Sequence, residues 1–253
     1  MKAIHPLVIC LVVALLSLPL SAEVQDSVMW DYSRKIFLGE GAEYQFDARV
    51  QVVLPDFAED SMQVPLMVDA TGVDEPIQKI IAWADYNPIQ HIFTFYPQTH
   101  LSPKLTLPFK VQQSTPVRAA VLTESGLWLV GSGFVSAAGG GCTLPSESRQ
   151  TDDWHKTLGK ISAGRFAMVG KDPTERFKFK VMHPMDTGLV ASIPSFYIEQ
   201  VELRSLENEI QGRLELSPAV AENPVFTFDT EVEDVALQLW LRDNDGNEFR
   251  RAM

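Results

Sequence analysis

The sequence predicts an all-β protein built from two β-sandwich domains in tandem. Apolar and polar residues alternate along most of the chain, turn signals recur at short intervals, and sustained helical periodicity is scarce. A polar stretch from Thr143 to Asp153, with Pro145 and several Ser and Thr, interrupts the pattern near the middle and reads as a linker.

The N-terminus precedes the first strand with a different signal. Met1-Lys2 gives a short basic start, Leu7 to Leu20 is almost wholly apolar, and Ser21-Ala22 offers small residues before the acidic stretch from Glu23. This predicts a secretory signal peptide over residues 1–22, too short and wrongly flanked for a transmembrane anchor. Tyr44 to Val52 then alternates as one strand with a buried face. Val64 to Val68 is the next, with Pro65 suited to an edge or a strand start. Lys79 to Ala84 follows and ends at the Asn87-Pro88 turn signal. Ile92 to Tyr96, Phe109 to Val111, Val117 to Leu122 and Leu127 to Val130 complete about seven strands over roughly a hundred residues, the spacing of a sandwich.

A second β-pattern runs from about Lys160 onward. Arg176 to Val181 alternates strictly and Tyr197 to Leu203 nearly so, followed by Arg213 to Leu216, Val225 to Phe228 and Ala236 to Leu241. Asn244-Asp245-Gly246-Asn247 before Phe249 predicts a hairpin turn in which Asp-Gly supplies positive φ angles.

Acidic residues outnumber basic ones, 33 to 21, which argues against nucleic acid as a partner because counterion release needs clustered Lys and Arg. That balance fits an exported protein that docks on basic surfaces, or simply one kept soluble by its charge. No other apolar run approaches bilayer length.

Cys142 stands out as the chemical feature. It closes the run Gly139-Gly140-Gly141-Cys142, and the other cysteine, Cys10, lies inside the expected signal peptide. The exported chain therefore carries one thiol without an internal disulfide partner. No charged residue occurs from Ser125 to Ser146, so no sequence neighbour lowers the thiol's pKa, and three glycines deny it the rigid placement of a nucleophile. An unactivated thiol on a flexible tether suits a carrier whose chemistry is done by partners; the plain alternative is a glycine connector with an incidental cysteine.

Other signals are weaker. Gly131-Ser132-Gly133 lacks the third glycine of a dinucleotide loop, since Ser136 stands there, and Gly139 to Gly141 would break the helix that must follow. Asp243, Asp245 and Glu248 are too few ligands around Gly246 for calcium. Met182-His183-Pro184-Met185 places soft and imidazole ligands close together, as copper-binding segments do, although packing is the commoner use of such residues. His91, His100, His155 and His183 are available for Cys-His chemistry, against which the setting of the thiol counts. The reading assigns no metal, no cofactor and no catalytic residue.

The first half resembles the SoxY sulfur-carrier subunit of the bacterial sulfur-oxidising system. The resemblance rests on Leu54-Pro55-Asp56-Phe57-Ala58-Glu59-Asp60 running into Val64-Pro65-Leu66, on Asp85-Tyr86-Asn87-Pro88, and on a strand before a glycine-rich arm bearing a cysteine. The second half resembles its partner subunit SoxZ, through His183-Pro184-Met185-Asp186-Thr187-Gly188, Pro218-Ala219-Val220-Ala221-Glu222-Asn223-Pro224 and Asp243-Asn244-Asp245-Gly246-Asn247-Glu248. The whole is similar to the fused SoxYZ-like carriers associated with quinoprotein dehydrogenases. The resemblance implies two immunoglobulin-like sandwiches: a SoxY-like one over 23–142, a linker over 143–155 and a SoxZ-like one over 156–253. It also implies that Cys142 is the covalent attachment site for a sulfur-containing group and that Gly139, Gly140 and Gly141 form a swinging arm. The family arm reads Gly-Gly-Cys-Gly-Gly at a free end, whereas here Thr143, Leu144 and Pro145 follow the cysteine and the arm is tethered on both sides. The implied protein is a periplasmic carrier without enzymatic activity of its own. Its implied partners are sulfur-metabolising enzymes or a quinoprotein dehydrogenase system. The alternative is an accessory binding module for such a dehydrogenase with the cysteine idle.

Overall fold

The run from Tyr44 to Val52 that reads as one strand is two, because the chain changes sheets inside it. In a computed structural model, which describes residues 24–98, 100–150, 153–168, 174–230 and 236–253, β1 (Tyr44–Phe46) and β2 (Gln51–Val53) belong to different sheets. Asp47 makes the corner: its carbonyl accepts the Val50 N–H at 3.1 Å, and its carboxylate accepts the Arg49 N–H at 2.9 Å and the Arg49 guanidinium at 2.7 Å. Alternation is unbroken by such a corner, so the pattern alone does not show it. The expected signal peptide lies outside the described residues.

The first half continues with β3 (Phe57–Ala58), β4 (Val64–Asp69), β5 (Ile77–Ala84), β6 (His91–Pro97), β7 (Leu101–Phe109), β8 (Thr115–Thr123) and β9 (Trp128–Ala137). The second half contributes β10 (Ile161–Met168), β11 (Thr174–Val181), β12 (Ile198–Ser205), β13 (Ile210–Leu216), β14 (Val225–Thr230), β15 (Leu237–Asp243) and β16 (Glu248–Ala252). Most strands extend beyond the alternating runs that mark them, and Phe109 to Val111 marks only the end of β7 and the two residues after it. Pro65 lies in β4 beyond the reach of β2, which pairs only Met67 to Asp69, so its missing N–H leaves no ladder bond unmade. Between β15 and β16 the turn is as expected, except that only Gly246, at φ +86°, takes positive φ.

The two halves form an all-β fold of tandem immunoglobulin-like domains whose sheets run through from one to the other. One sheet has the order β1-β9-β8-β5-β6-β13-β12-β15-β16, with β3 also on β9; the other has β10-β11-β14-β7-β4-β2. β1 and β3 run parallel to β9 and the remaining pairs are antiparallel. The halves therefore meet through main-chain ladders: β6 with β13, Phe95 opposite Leu214, and β7 with β14, Leu105 opposite Phe228. Between the sheets one apolar core spans both halves, with Phe95 and Phe228 rings 5.8 Å apart and Phe179 stacked on Phe226 at 4.8 Å. Each of these fully buried rings contributes about 1.5–3 kcal/mol.

The sequence pattern does not announce the one α-helix among the described residues, α1 (Trp30–Phe37), which covers the outer face of the larger sheet. Phe37 stacks on the buried Trp83 at 4.8 Å, and Trp30 lies 5.2 Å from the guanidinium of Arg118. Arg118 is itself buried against Asp85 at 3.4 Å. No helix among the described residues is long and apolar enough to cross a membrane.

Candidate functional site

β9 delivers the chain to the glycine run, and its last residues are paired by β3, with Ser136 opposite Phe57. Gly139 and Gly140 then adopt φ values of +101° and +90°, which favour glycine. Every amide of the run finds an acceptor: Gly139 N–H donates to Ser61 Oγ at 3.3 Å, Gly140 N–H to Gln112 O at 3.0 Å and Gly141 N–H to Val111 O at 2.9 Å. A Cβ at Gly141 would lie 2.0 Å from the Ser61 carbonyl oxygen, so glycine here permits close approach. In this conformation the run is docked on residues 111–112 and is not extended into solvent.

Docking the run buries Cys142 completely. Its Sγ–H donates to the Lys110 carbonyl at 3.7 Å, and the Asn87 side-chain amide donates to the same oxygen at 2.7 Å. Among the described residues it is the one free cysteine. Burial pushes the thiol up to about 11, with the nearby Lys110 charge pulling weakly the other way. At neutral pH it is therefore a protonated, unreactive thiol in this position. The sequence around Cys142 is charge-free, yet the fold brings a lysine to it from 32 residues upstream.

Lys110 is the group that sequence reading misses. The residue is buried just past β7, and its ammonium donates to three carbonyl oxygens of the second half: Met185, Pro218 at 3.0 Å and Val220 at 2.9 Å. The main chain around it joins in, with Lys110 N–H donating to Ala219 O at 2.7 Å and Ala221 N–H donating to Pro108 O, at the end of β7, at 3.0 Å. Burial lowers the ammonium's pKa to about 8, opposed by Cys142, Asp186 and Glu222. The only hint in the sequence is a lysine set between Phe109 and Val111.

The three runs singled out in the second half converge on this place. From the first run, Thr187 Oγ1 donates to the Cys142 carbonyl at 2.8 Å, and Asp186 pairs with Arg149 at 2.5 Å. From the second, the buried Glu222 carboxylate accepts the N–H groups of Glu147 at 2.6 Å and Ser148 at 2.7 Å. The segment that follows Cys142 is thus fastened to the second half at Glu147 to Arg149. The third run closes the floor: Asp243 accepts the Asn247 N–H at 2.8 Å and faces His183 Nε2 at 3.5 Å. His183 Nδ1 accepts the Met185 N–H at 3.1 Å, which assigns the ring hydrogen to Nε2, and burial keeps the imidazole neutral, its pKa below the ordinary value. Met185 Sδ accepts the Ile198 N–H at 3.3 Å, so His183 and Met185 are committed to packing and hydrogen bonding, not gathered as copper ligands. Among the described residues no group of three or more His, Cys, Asp or Glu is arranged to hold a metal ion.

The model of the family described as sulfur oxidation protein SoxY matches residues 34–142, and that of sulphur oxidation protein SoxZ matches residues 166–253. The chain belongs to the SoxYZ family, as a fusion of the two subunits. Its SoxY half ends its match on Cys142, and all three of the second-half runs lie in its SoxZ half. Solved structures similar to this SoxYZ fusion include the sulfur carrier protein SoxY from Chlorobium limicola f thiosulfatophilum, at 16% identity over 44% of this chain and 96% of that one, with a TM-score of 0.38. The receptor tyrosine kinase Torso follows at 9% identity over 88% and 84%, with a TM-score of 0.26. At these TM-scores neither likeness bears on function. No curated protein matches the chain.

Proposed function

We propose that this SoxYZ fusion is a periplasmic carrier that holds a sulfur-containing group covalently on Cys142 and presents it to partner enzymes. The observation that carries the reading is that the SoxY match ends on Cys142, the free cysteine at the end of Gly139-Gly140-Gly141. Loading by thiosulfate forms an S–S bond, releases the thiol proton and sends two electrons to an acceptor, so an oxidising partner is required. A buried thiol held near pKa 11 does not start that reaction. The carrier stores its thiol in an inert place and exposes it where a partner supplies the chemistry. Gly139, Gly140 and Gly141 supply the backbone freedom for that excursion. The partners are sulfur-metabolising enzymes or a quinoprotein dehydrogenase system of the same compartment.

The complete burial of Cys142 favours a second reading, an accessory module for such a dehydrogenase with the cysteine idle. One experiment separates them. The protein is taken from its native periplasm without reductant, and its intact mass is measured before and after reduction beside a Cys142→Ala control. A reducible adduct of sulfur or sulfonate mass, absent from the control, supports the carrier. A bare thiol under conditions where the gene is needed supports the accessory module.

A further inference from the structure

We infer that Lys110 is the positioning residue that holds the Cys142 arm shut, and that it does so through the SoxZ half, so that access to the thiol is controlled from the loops carrying Met185, Pro218 and Val220. The inference deepens the carrier reading and rests on it for its biological meaning, but its physical content is independent of any cargo.

Geometry carries it. The Lys110 carbonyl is the acceptor for the thiol, while its ammonium donates to three carbonyls of the other half. One residue thus touches the stored group with its main chain and the SoxZ half with its side chain. An ammonium has three hydrogens, and three acceptors are present. The same loop supplies Thr187, whose hydroxyl holds the Cys142 carbonyl. A buried lysine is a costly way to join two loops, since an apolar side chain would fill the space without desolvating a charge. What it provides is directionality: the loops are held in one register, and that register places Thr187 on the arm. Movement of the 185–188 loop breaks a bond to the ammonium and a bond to the arm together. The SoxZ half is then the gate as well as the scaffold of the carrier.

The test is the rate at which a maleimide alkylates Cys142 in the full chain, followed by mass across a series of urea concentrations below unfolding. Local opening gives a component independent of urea, whereas global unfolding gives one that rises steeply with it. In Lys110→Met the urea-independent rate is expected to rise at least about tenfold, because charged hydrogen bonds are lost, and Lys110→Arg is expected to restore part of the protection. A Lys110→Met protein that stays folded with an unchanged urea-independent rate overturns the inference. A change confined to the urea-dependent component means a merely structural lysine and overturns it too. Should Lys110→Met not fold, the wild-type protein decides. Acetylation of Lys110 by acetic anhydride and alkylation of Cys142 are expected to show the same urea-independent protection. Cys142 opening while Lys110 stays protected overturns the inference. An idle cysteine in the mass experiment would sink the carrier reading and leave these rates untouched.

Discussion

The Thr187 hydroxyl donates to the Cys142 carbonyl at 2.8 Å, a buried hydrogen bond that ties the end of the SoxY half to the first of the SoxZ runs. Thr187→Val keeps the shape and deletes the donor, leaving that carbonyl without the bond. The variant is expected to lose about 1 kcal/mol in urea unfolding with an unchanged slope. A midpoint equal to wild type would show the bond to be unimportant.

Gly141→Ala is expected to eject the arm. The added carbon would meet the Ser61 carbonyl at 2.0 Å and the Val111 carbonyl at 2.8 Å, both main-chain atoms that cannot rotate away. Cys142 should then react with maleimide at a rate close to that of the urea-unfolded chain, while most of the sandwich keeps its far-ultraviolet spectrum. Protection equal to wild type would mean that the arm is not seated as described.

Glu222→Ala removes the acceptor for the amides of Glu147 and Ser148. The expected loss is about 2 kcal/mol, in the range for hydrogen bonds to a charged group. Trypsin should also cut after Arg149 faster than in wild type, because the segment then loses its two main-chain bonds to the SoxZ half. Digestion followed by mass measurement reads both the site and the rate.

Stability should fall as the solution is made mildly acidic. Burial lowers the pKa of both His91 and His183 in the folded chain, so the unfolded chain takes up protons near pH 6.5 that the folded one refuses. That linkage makes stability full above about pH 6.5 and lost progressively as the pH drops below it. Urea midpoints at pH 7.5 and 5.5 measure the drop, and His183→Asn should make it smaller. An equal drop in the variant would take His183 out of the account.

Strands that bury one face were legible, because period-two alternation records that burial directly in runs such as Arg176 to Val181. The helix over Trp30 to Phe37 was not, since its eight residues span only about two turns, shorter than the stretch over which helical period is read. The sheet change after Phe46 was hidden for a different reason: alternation reports which face is buried, not which sheet owns the strand. At the site, Cys142 and its glycines could be read from composition and local spacing. Lys110 could not, because the carbonyls that accept its ammonium belong to residues 75 to 110 positions away. A count of charges along Ser125 to Ser146 describes the neighbours in sequence, and the neighbour that matters arrives from another strand's end.

The fastening of Glu147 and Ser148 by Glu222 sets the radius of action of the thiol. Cys142 lies five residues from Ala137, where β9 ends, and five from Glu147. Fully stretched, either span covers at most roughly 17 Å. The sulfur can therefore travel only as the apex of a two-legged hairpin, and both legs must fit wherever it goes. On the carrier reading, an enzyme that receives it must offer an open trench with its reactive centre close to the rim; a deep, single-file tunnel would leave the thiol outside.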